Sequence, residues 1–243
     1  MDIARRLSSL VARKLPVRPV GLSNRAVASI TFDDFPKSAW TLGGLILARH
    51  QIRGTYYTAG GFCGRTMDGI TYYDESDLRG LLAAGHEIGC HGYSHQPTPW
   101  LATPVLVEDA RRNAEFLRPF IGQAESYAFP FGAVSRRTKR FYTPRFASLR
   151  GVHPGVNQGR VDLSQLCTIS LEARCFSERA VDAAIARIKA KGGWLVFHTH
   201  DVSETPSRFG TTPDQLDWTL ARVKAAGIGF LPMREALKVA LAA

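Results

Sequence analysis

Apolar runs rich in β-branched and aromatic residues recur along the chain, and several of them stop abruptly on ionisable residues. Val27-Ala28-Ser29-Ile30-Thr31-Phe32 leads into Asp33-Asp34 and is halted by Pro36; Glu87-Ile88-Gly89-Cys90 leads into His91 and, four residues on, His95; Trp194-Leu195-Val196-Phe197-His198-Thr199 leads into His200-Asp201. Runs of this length and content predict buried strands. Further strands are expected at Thr55 to Thr58, Ser126 to Phe129, Phe146 to Val152, Leu166 to Leu171 and Ile228 to Leu231. Between them lie segments of helical character: Ala39 to His50, Ser76 to Ala84 before the terminator Gly85, Thr103 to about Arg118 with Pro104 in its first turn, Ser177 to Lys191, a stretch opened by Thr212-Pro213-Asp214, and Met233 to Ala242. Strands alternating with helices predict a parallel α/β architecture.

Length and composition narrow this to one compact domain, since 243 residues of which 45% are hydrophobic suit a single full core. Cys63, Cys90, Cys167 and Cys175 show neither zinc-ribbon nor paired spacing, so free thiols in a reducing compartment are expected. Met1 to Pro19 has no apolar core of signal-peptide length and no membrane-spanning run, which makes a cytoplasmic protein the plain expectation. Within residues 1–22, Ile3, Leu7, Leu10, Val11 and Leu15 recur at helical spacing among Arg5, Arg6, Arg13 and Lys14, the pattern of a basic amphipathic helix. Such a helix either packs its stripe on the end of the domain, the commoner outcome, or lies peripherally on an anionic inner-membrane face. The formal charge of +10 raises the question of nucleic acid, but the arginines are scattered and no nucleic-acid motif is present, so no nucleic-acid partner is expected. An acidic substrate or anionic headgroups account for the charge as well.

The strand ends carry the candidate chemistry. Successive side chains of a strand point to opposite faces, so Asp33 and Asp34 can share a site only where the strand stops and the backbone turns. Adjacent carboxylates repel unless a cation sits beside them, although a solvated Asp-Asp turn would satisfy the dipeptide alone. His91 and His95 have the spacing that stacks two imidazoles on one side of a helical turn; two histidines and one carboxylate make a metal site with positions left open for water and substrate. Three strands delivering polar groups at their C-terminal ends is the arrangement of an α/β barrel active site.

In combination these residues resemble the NodB-type polysaccharide deacetylases, carbohydrate esterase family four. Thr31-Phe32-Asp33-Asp34 is similar to the first family motif, His91-Gly92-Tyr93-Ser94-His95 to the second, Phe129-Pro130-Phe131-Gly132 to the third and His200-Asp201 to the late histidine motif, over roughly Ala28 to Leu237. The resemblance implies a single-domain distorted (β/α) barrel of about seven parallel strands, spanning residues 23–243, that removes an N-acetyl or N-formyl group from an amino sugar of a glycan or of its nucleotide- or lipid-linked precursor. The rival is a non-catalytic carbohydrate-binding relative, against which the retention of Asp33 speaks. By the same resemblance Asp34, His91 and His95 hold one divalent metal, zinc first and cobalt, nickel, manganese or iron as alternatives. Asp33 is the general base, Phe131 lends a backbone N–H to the oxyanion, and His200 protonates the leaving amine. Phe129, Pro130, Trp194 and His198 are expected at the substrate; for His198 a core position bonded to a backbone carbonyl is the alternative. Two departures stand out. Ala128 replaces the arginine that orients the base in the family, leaving that task vacant or passing it to a cation such as Arg150. The fourth-motif aspartate has no clear counterpart, and its nearest candidate, Asp162, is expected to have a surface role.

Overall fold

In the computed structural model of the chain, which describes residues 3–242 with side chains from Leu7 to Ala242, the apolar runs become strands. They are β1 (Ala26–Phe32), β2 (Thr55–Thr58), β3 (Glu87–Cys90), β4 (Ser126–Ala128), β5 (Ser148–Pro154), β6 (Leu166–Ser170), β7 (Gly193–Thr199) and the short β8 (Gly229–Phe230). Strands β1 to β7 pair in chain order, all parallel, and β7 returns to β1 from Gly193↔Ala26 to Thr199↔Phe32, closing a seven-stranded barrel. The other edge of β1 is shared: β8 pairs with its beginning, Gly229↔Val27, and β2 with its end, Thr31↔Thr55.

Parallel strands buried on both faces need two cores. Ala28, Ile30 and Phe32 face the surrounding helices, while Val27, Tyr57, Leu166, Trp194 and Val196 belong to a second cluster within the barrel, closed at its N-terminal end by Met233, Ala236 and Leu237 of the last helix, Met233–Leu241. Two interior hydroxyls are satisfied by backbone carbonyls: Thr31 Oγ1 donates to Phe197 O at 2.7 Å and Ser29 Oγ to Leu231 O at 2.7 Å. Trp194 belongs to this core. Its Nε1 donates to Ser29 Oγ at 3.0 Å near the start of β7, six residues and about 20 Å of strand from His200, so it does not reach the substrate as expected.

The expected helix from Ala39 to His50 is two, Lys37–Thr41 and Gly43–Arg49, broken at Leu42. Here Gly43 and Gly44 are packing residues; a Cβ on Gly44 would come within 2.5 Å of the Trp40 ring. The helix after Thr103 runs through Pro119 to Ile121, because a proline in the last turn forfeits only one bond of the ladder.

Residues near the N-terminus are tied to the barrel at several points. Pro19–Gly21 pairs antiparallel with Arg160–Asp162. Asp162 accepts from the backbone N–H of Arg18 at 2.9 Å and meets the fully buried Lys139 at 2.6 Å. Its role is therefore a half-buried tether rather than the surface one expected. Helix α1 (Ile3–Arg13) rests on the barrel through Ser8, Ser9 and Ala12, and Leu7, Leu10, Val11 and Leu15 remain exposed, the reverse of a packed stripe. Ile3, Arg5 and Arg6 also belong to the amphipathic pattern, but their side chains lie outside the described residues. Among the described residues no helix is long and apolar enough to cross a membrane.

Candidate active site

The first strand ends where Pro36 stops it, and the turn is left-handed: Asp34 and Phe35 have φ of 63° and 52°. Such backbone is costly for non-glycine residues and persists only where the surroundings hold it. Phe35 supplies that hold, being fully buried and stacked on Tyr73 with centroids 4.7 Å apart. Asp33 N–H donates to Thr199 O at 2.9 Å, prolonging the β1–β7 ladder by one bond. The turn brings both carboxylates to one cavity of about 360 Å³ at the C-terminal mouth of the barrel, with His91, His95, Phe131 and His200 among its lining residues.

His91 and His95 do not lie on a helix. The loop between them turns at Gly92 (φ 72°) and at His95 itself (φ 49°), and Asp109 from the helix Thr103–Ile121 fastens it by accepting from Tyr93 N at 3.0 Å, Ser94 N at 2.8 Å and Ser94 Oγ. A side chain at Gly92 would strike Asp109, so loop and clasp are fitted to each other. The two rings stand 4.9 Å apart, and that of His95 lies against Phe131 at 4.5 Å.

Two imidazoles and a carboxylate converge where these residues meet. His91 is buried, and its Nδ1–H donates to Ala128 O at 2.7 Å, which leaves the Nε2 lone pair aimed at Asp34 Oδ1, 3.2 Å away. Burial moves His91 down from its ordinary pKa, so a lone pair faces a carboxylate oxygen. His95 Nε2 reaches the same oxygen at 2.9 Å, yet Asp34 Oδ1 is buried without a hydrogen-bond donor. Burial alone would raise the Asp34 carboxyl, but His95, His91 and His200 outweigh it and hold it well below the ordinary carboxylate range. One ligand atom from each of Asp34, His91 and His95 lies within 4.8 Å of the others. The donor set and the orphaned oxygen fit a divalent metal.

Asp33 has its own partner. Arg150, fully buried on β5, forms an ion pair with Asp33 Oδ1 and lies 4.5 Å from the centre of the Tyr57 ring. Burial would lower Arg150 to about 9, still above neutrality, so it meets Asp33 as a cation. Ala128 on β4 is the residue paired directly with Arg150. The guanidinium therefore stands one strand over from the vacant position, on the same rung. His200, whose Nδ1 lies 3.2 Å from Phe209 O, has its Nε2 3.9 Å from Asp34 Oδ2; burial lowers it to about 4. Asp201 faces away and accepts from Ser207 N at 2.8 Å, fastening the loop that carries Arg208 and Phe209.

Phe129 and Pro130 do not line this cavity. Phe129 is buried edge-on against Tyr127 (5.1 Å) and Tyr142 (5.8 Å), as expected of a strand-end aromatic facing the helices. The following turn gives Phe131 a φ of 57°, and that residue alone of the aromatic pair reaches the mouth.

A second cavity of about 450 Å³ adjoins the first, sharing Phe131, Gly132, Val152, Glu172 and Arg174 with it. His198 lines it, with Nε2 3.6 Å from Glu172 Oε1 and not on a backbone carbonyl. Glu172 was not anticipated. Burial would raise its carboxyl, but His198 and Arg174 outweigh this and hold it low, with Arg174 Nε donating at 2.7 Å. It follows the apolar run Leu166 to Leu171, the same pattern of strand then acid that singles out Asp33 and Asp34.

A closed seven-stranded parallel barrel with carboxylates and imidazoles gathered at its C-terminal mouth is a (β/α) barrel with the fold of the deacetylases. Residues 22–143 match the polysaccharide deacetylase family model, and the chain belongs to that family. The matched span holds the first three motifs, while His200 lies beyond it. No curated protein matches the chain. Among solved structures it is similar to a family 4 acetyl xylan esterase from Clostridium thermocellum, in complex with a cobalt ion (19% identity, TM-score 0.61, 87% of this chain and 90% of that one). It is similar also to the Bc1960 peptidoglycan N-acetylglucosamine deacetylase (17%, TM-score 0.60, 88% and 89%). A mutant of BA3943, a CE4 family pseudoenzyme, has the same fold (15%, TM-score 0.60, 92% and 71%).

Proposed function

We propose that this protein is a metal-dependent carbohydrate N-deacylase that hydrolyses the N-acetyl or N-formyl group of an amino sugar. Family membership and deacetylase neighbours support carbohydrate deacylation. The observation that carries the finer reading is Asp34 Oδ1, a buried anion facing two imidazoles with no proton donor of its own. Asp34, His91 and His95 would hold the ion; zinc suits two imidazoles and a carboxylate, and cobalt, nickel, manganese or iron accept the same set. When bound, a divalent ion polarises the amide carbonyl and acidifies the attacking water. Asp33 takes the proton from that water, and its ion pair with Arg150 holds the carboxylate in position. Phe131 lines the mouth, and its backbone N–H would serve as the donor that a developing oxyanion needs. His200, which lines the same cavity, would return to the departing nitrogen the proton that Asp33 takes from the water.

The rival reading, a non-catalytic carbohydrate-binding relative, rests on Ala128, and the Arg150–Asp33 ion pair weighs against it. The test is mass spectrometry of a panel of N-acetylated and N-formylated amino sugars, free, nucleotide-linked and lipid-linked, incubated with zinc- or cobalt-loaded protein. Release of a free amine by the loaded protein and not by the Asp33→Asn variant is the expected result. Sugar binding without any release would favour the rival.

A further inference from the structure

Helix α1 packs opposite to a helix that merely completes a core. It meets the barrel through small and polar residues: Ser8 Oγ donates to Val134 O at 2.8 Å, Ser9 Oγ to Gly132 O at 3.0 Å, Gln165 Nε2 to Ser9 O at 3.2 Å and Lys139 Nζ to Ala12 O at 2.8 Å. Ala12 is buried, whereas Leu7, Leu10 and Val11 are 60%, 49% and 51% exposed and Leu15 follows at 39%. Spacings of three and four residues set these side chains on one outward ridge, beside the exposed Arg13 and Lys14. A soluble monomer seldom leaves such a ridge bare without a use for it.

The ridge is continuous with the mouth of the barrel. Ser9 and Leu10 line the second cavity together with Phe131, which stands against His95, and Gly132, the acceptor of the Ser9 hydroxyl, is in the same turn. Phe131 and Phe209 are 45% and 44% exposed, and Arg174 and Arg208 belong to the same cavity lining. The groove thus opens beside an apolar helix face and carries exposed aromatics and cations of its own.

We propose that α1 and the adjoining rim dock on an anionic lipid surface, with the Leu7–Leu10–Val11 ridge entering the boundary between headgroups and acyl chains. Charge decides between this occupant and a second copy of the chain. The net charge is +10, and a two-fold contact through α1 would press Arg13 and Lys14 against their own counterparts, whereas anionic headgroups complement them. The helix is short, so it lies in the surface and does not span it. Docked this way, the mouth faces the interface, where an amino sugar on a lipid carrier would enter the groove directly. That last step rests on the deacylase reading; the docking does not.

The test is co-sedimentation of the full chain with vesicles of equimolar phosphatidylglycerol and phosphatidylcholine, and with phosphatidylcholine alone, at low and high salt. Binding is expected only to the anionic vesicles, and weakened by salt. The variant Leu7→Glu/Val11→Glu changes two outward side chains that line neither cavity; it should keep its melting temperature and metal content and lose vesicle binding by about ten- to a hundredfold. Failure of the wild type to sediment at low salt, or equal sedimentation of the variant, overturns the proposal. So does a wild-type dimer in analytical ultracentrifugation that the variant abolishes, which would make the ridge a self-interface. No substrate enters the assay, so a failed docking leaves the deacylase reading standing, and an inactive enzyme leaves the docking standing.

Discussion

On one side of the groove Asp33, Asp34 and His91 hang directly from the ends of β1 and β3, each held by a second group: Asp33 by Arg150, the Asp34 turn by buried Phe35, His91 by Ala128 O. On the other side Glu172, Arg174, Arg208 and Phe209 come from loops that follow β6 and β7, and Arg174, Arg208 and Phe209 are exposed. The first side is pre-organised at the expense of backbone strain and buried charge, which suits steps common to every substrate. The second can vary in sequence without disturbing the barrel, which suits recognition of a particular sugar or acyl group.

Substitutions can break that division of labour, and the largest effect belongs to the cradle. His91→Ala should lose both bound metal and turnover, measured by elemental analysis and amine release. Next, Asp33→Asn should keep its metal while kcat falls by about 10²–10⁴-fold, and His200→Ala should do the same in that range; full activity in either variant would remove it from the proton-transfer scheme.

Arg150→Ala isolates the role of the displaced guanidinium. It strands the buried Asp33 charge and should cost about 3–5 kcal/mol in urea denaturation besides lowering kcat. Adding Ala128→Arg should recover part of both losses, since the two positions share a rung. Failure of the double variant to improve on the single one in either measure would show that rung sharing is not enough. The smallest effects should fall on the loop side: Glu172→Gln and His198→Ala should alter relative kcat/KM between N-acetyl and N-formyl substrates by about tenfold, worth near 1.4 kcal/mol, with metal content intact. A collapse of kcat for all substrates would place Glu172 with the catalytic group.

The barrel was legible because each strand is a short, buried, largely apolar run, and all seven barrel strands lie within two residues of the expected ranges at both ends. The meeting of Asp34, His91 and His95 was legible too, because strand ends mark where side chains converge. Trp194 was misplaced: a strand that ends in a site also begins in a core, and apolar content does not tell one end from the other. Phe129 and Pro130 were misplaced because the strand stops at Ala128 and alternation no longer applies beyond it; Phe131, itself left-handed, is the residue that reaches the mouth. Arg150 could be named only as a candidate, for its meeting with Asp33 depends on β4–β5 register. Glu172 was the avoidable omission, since it obeys the rule that found the others. For α1 the helix was legible but the packed alternative for its stripe was not met, since periodicity reveals that a helix has two faces, not which one meets the protein.

The two edges of β1 differ in how far along the chain their partners lie. Asp34, His91 and His95 are carried by β1 and β3, strands joined through β2 by pairings close in the chain, so the cradle can form from local contacts. Asp33 and His200 are aligned only once β7 reaches β1, a closure recorded by the bond from Thr31 to Phe197, 166 positions away. In chain order, the strands that bring Asp34, His91 and His95 together are complete long before β7, the strand that brings His200 to the same mouth.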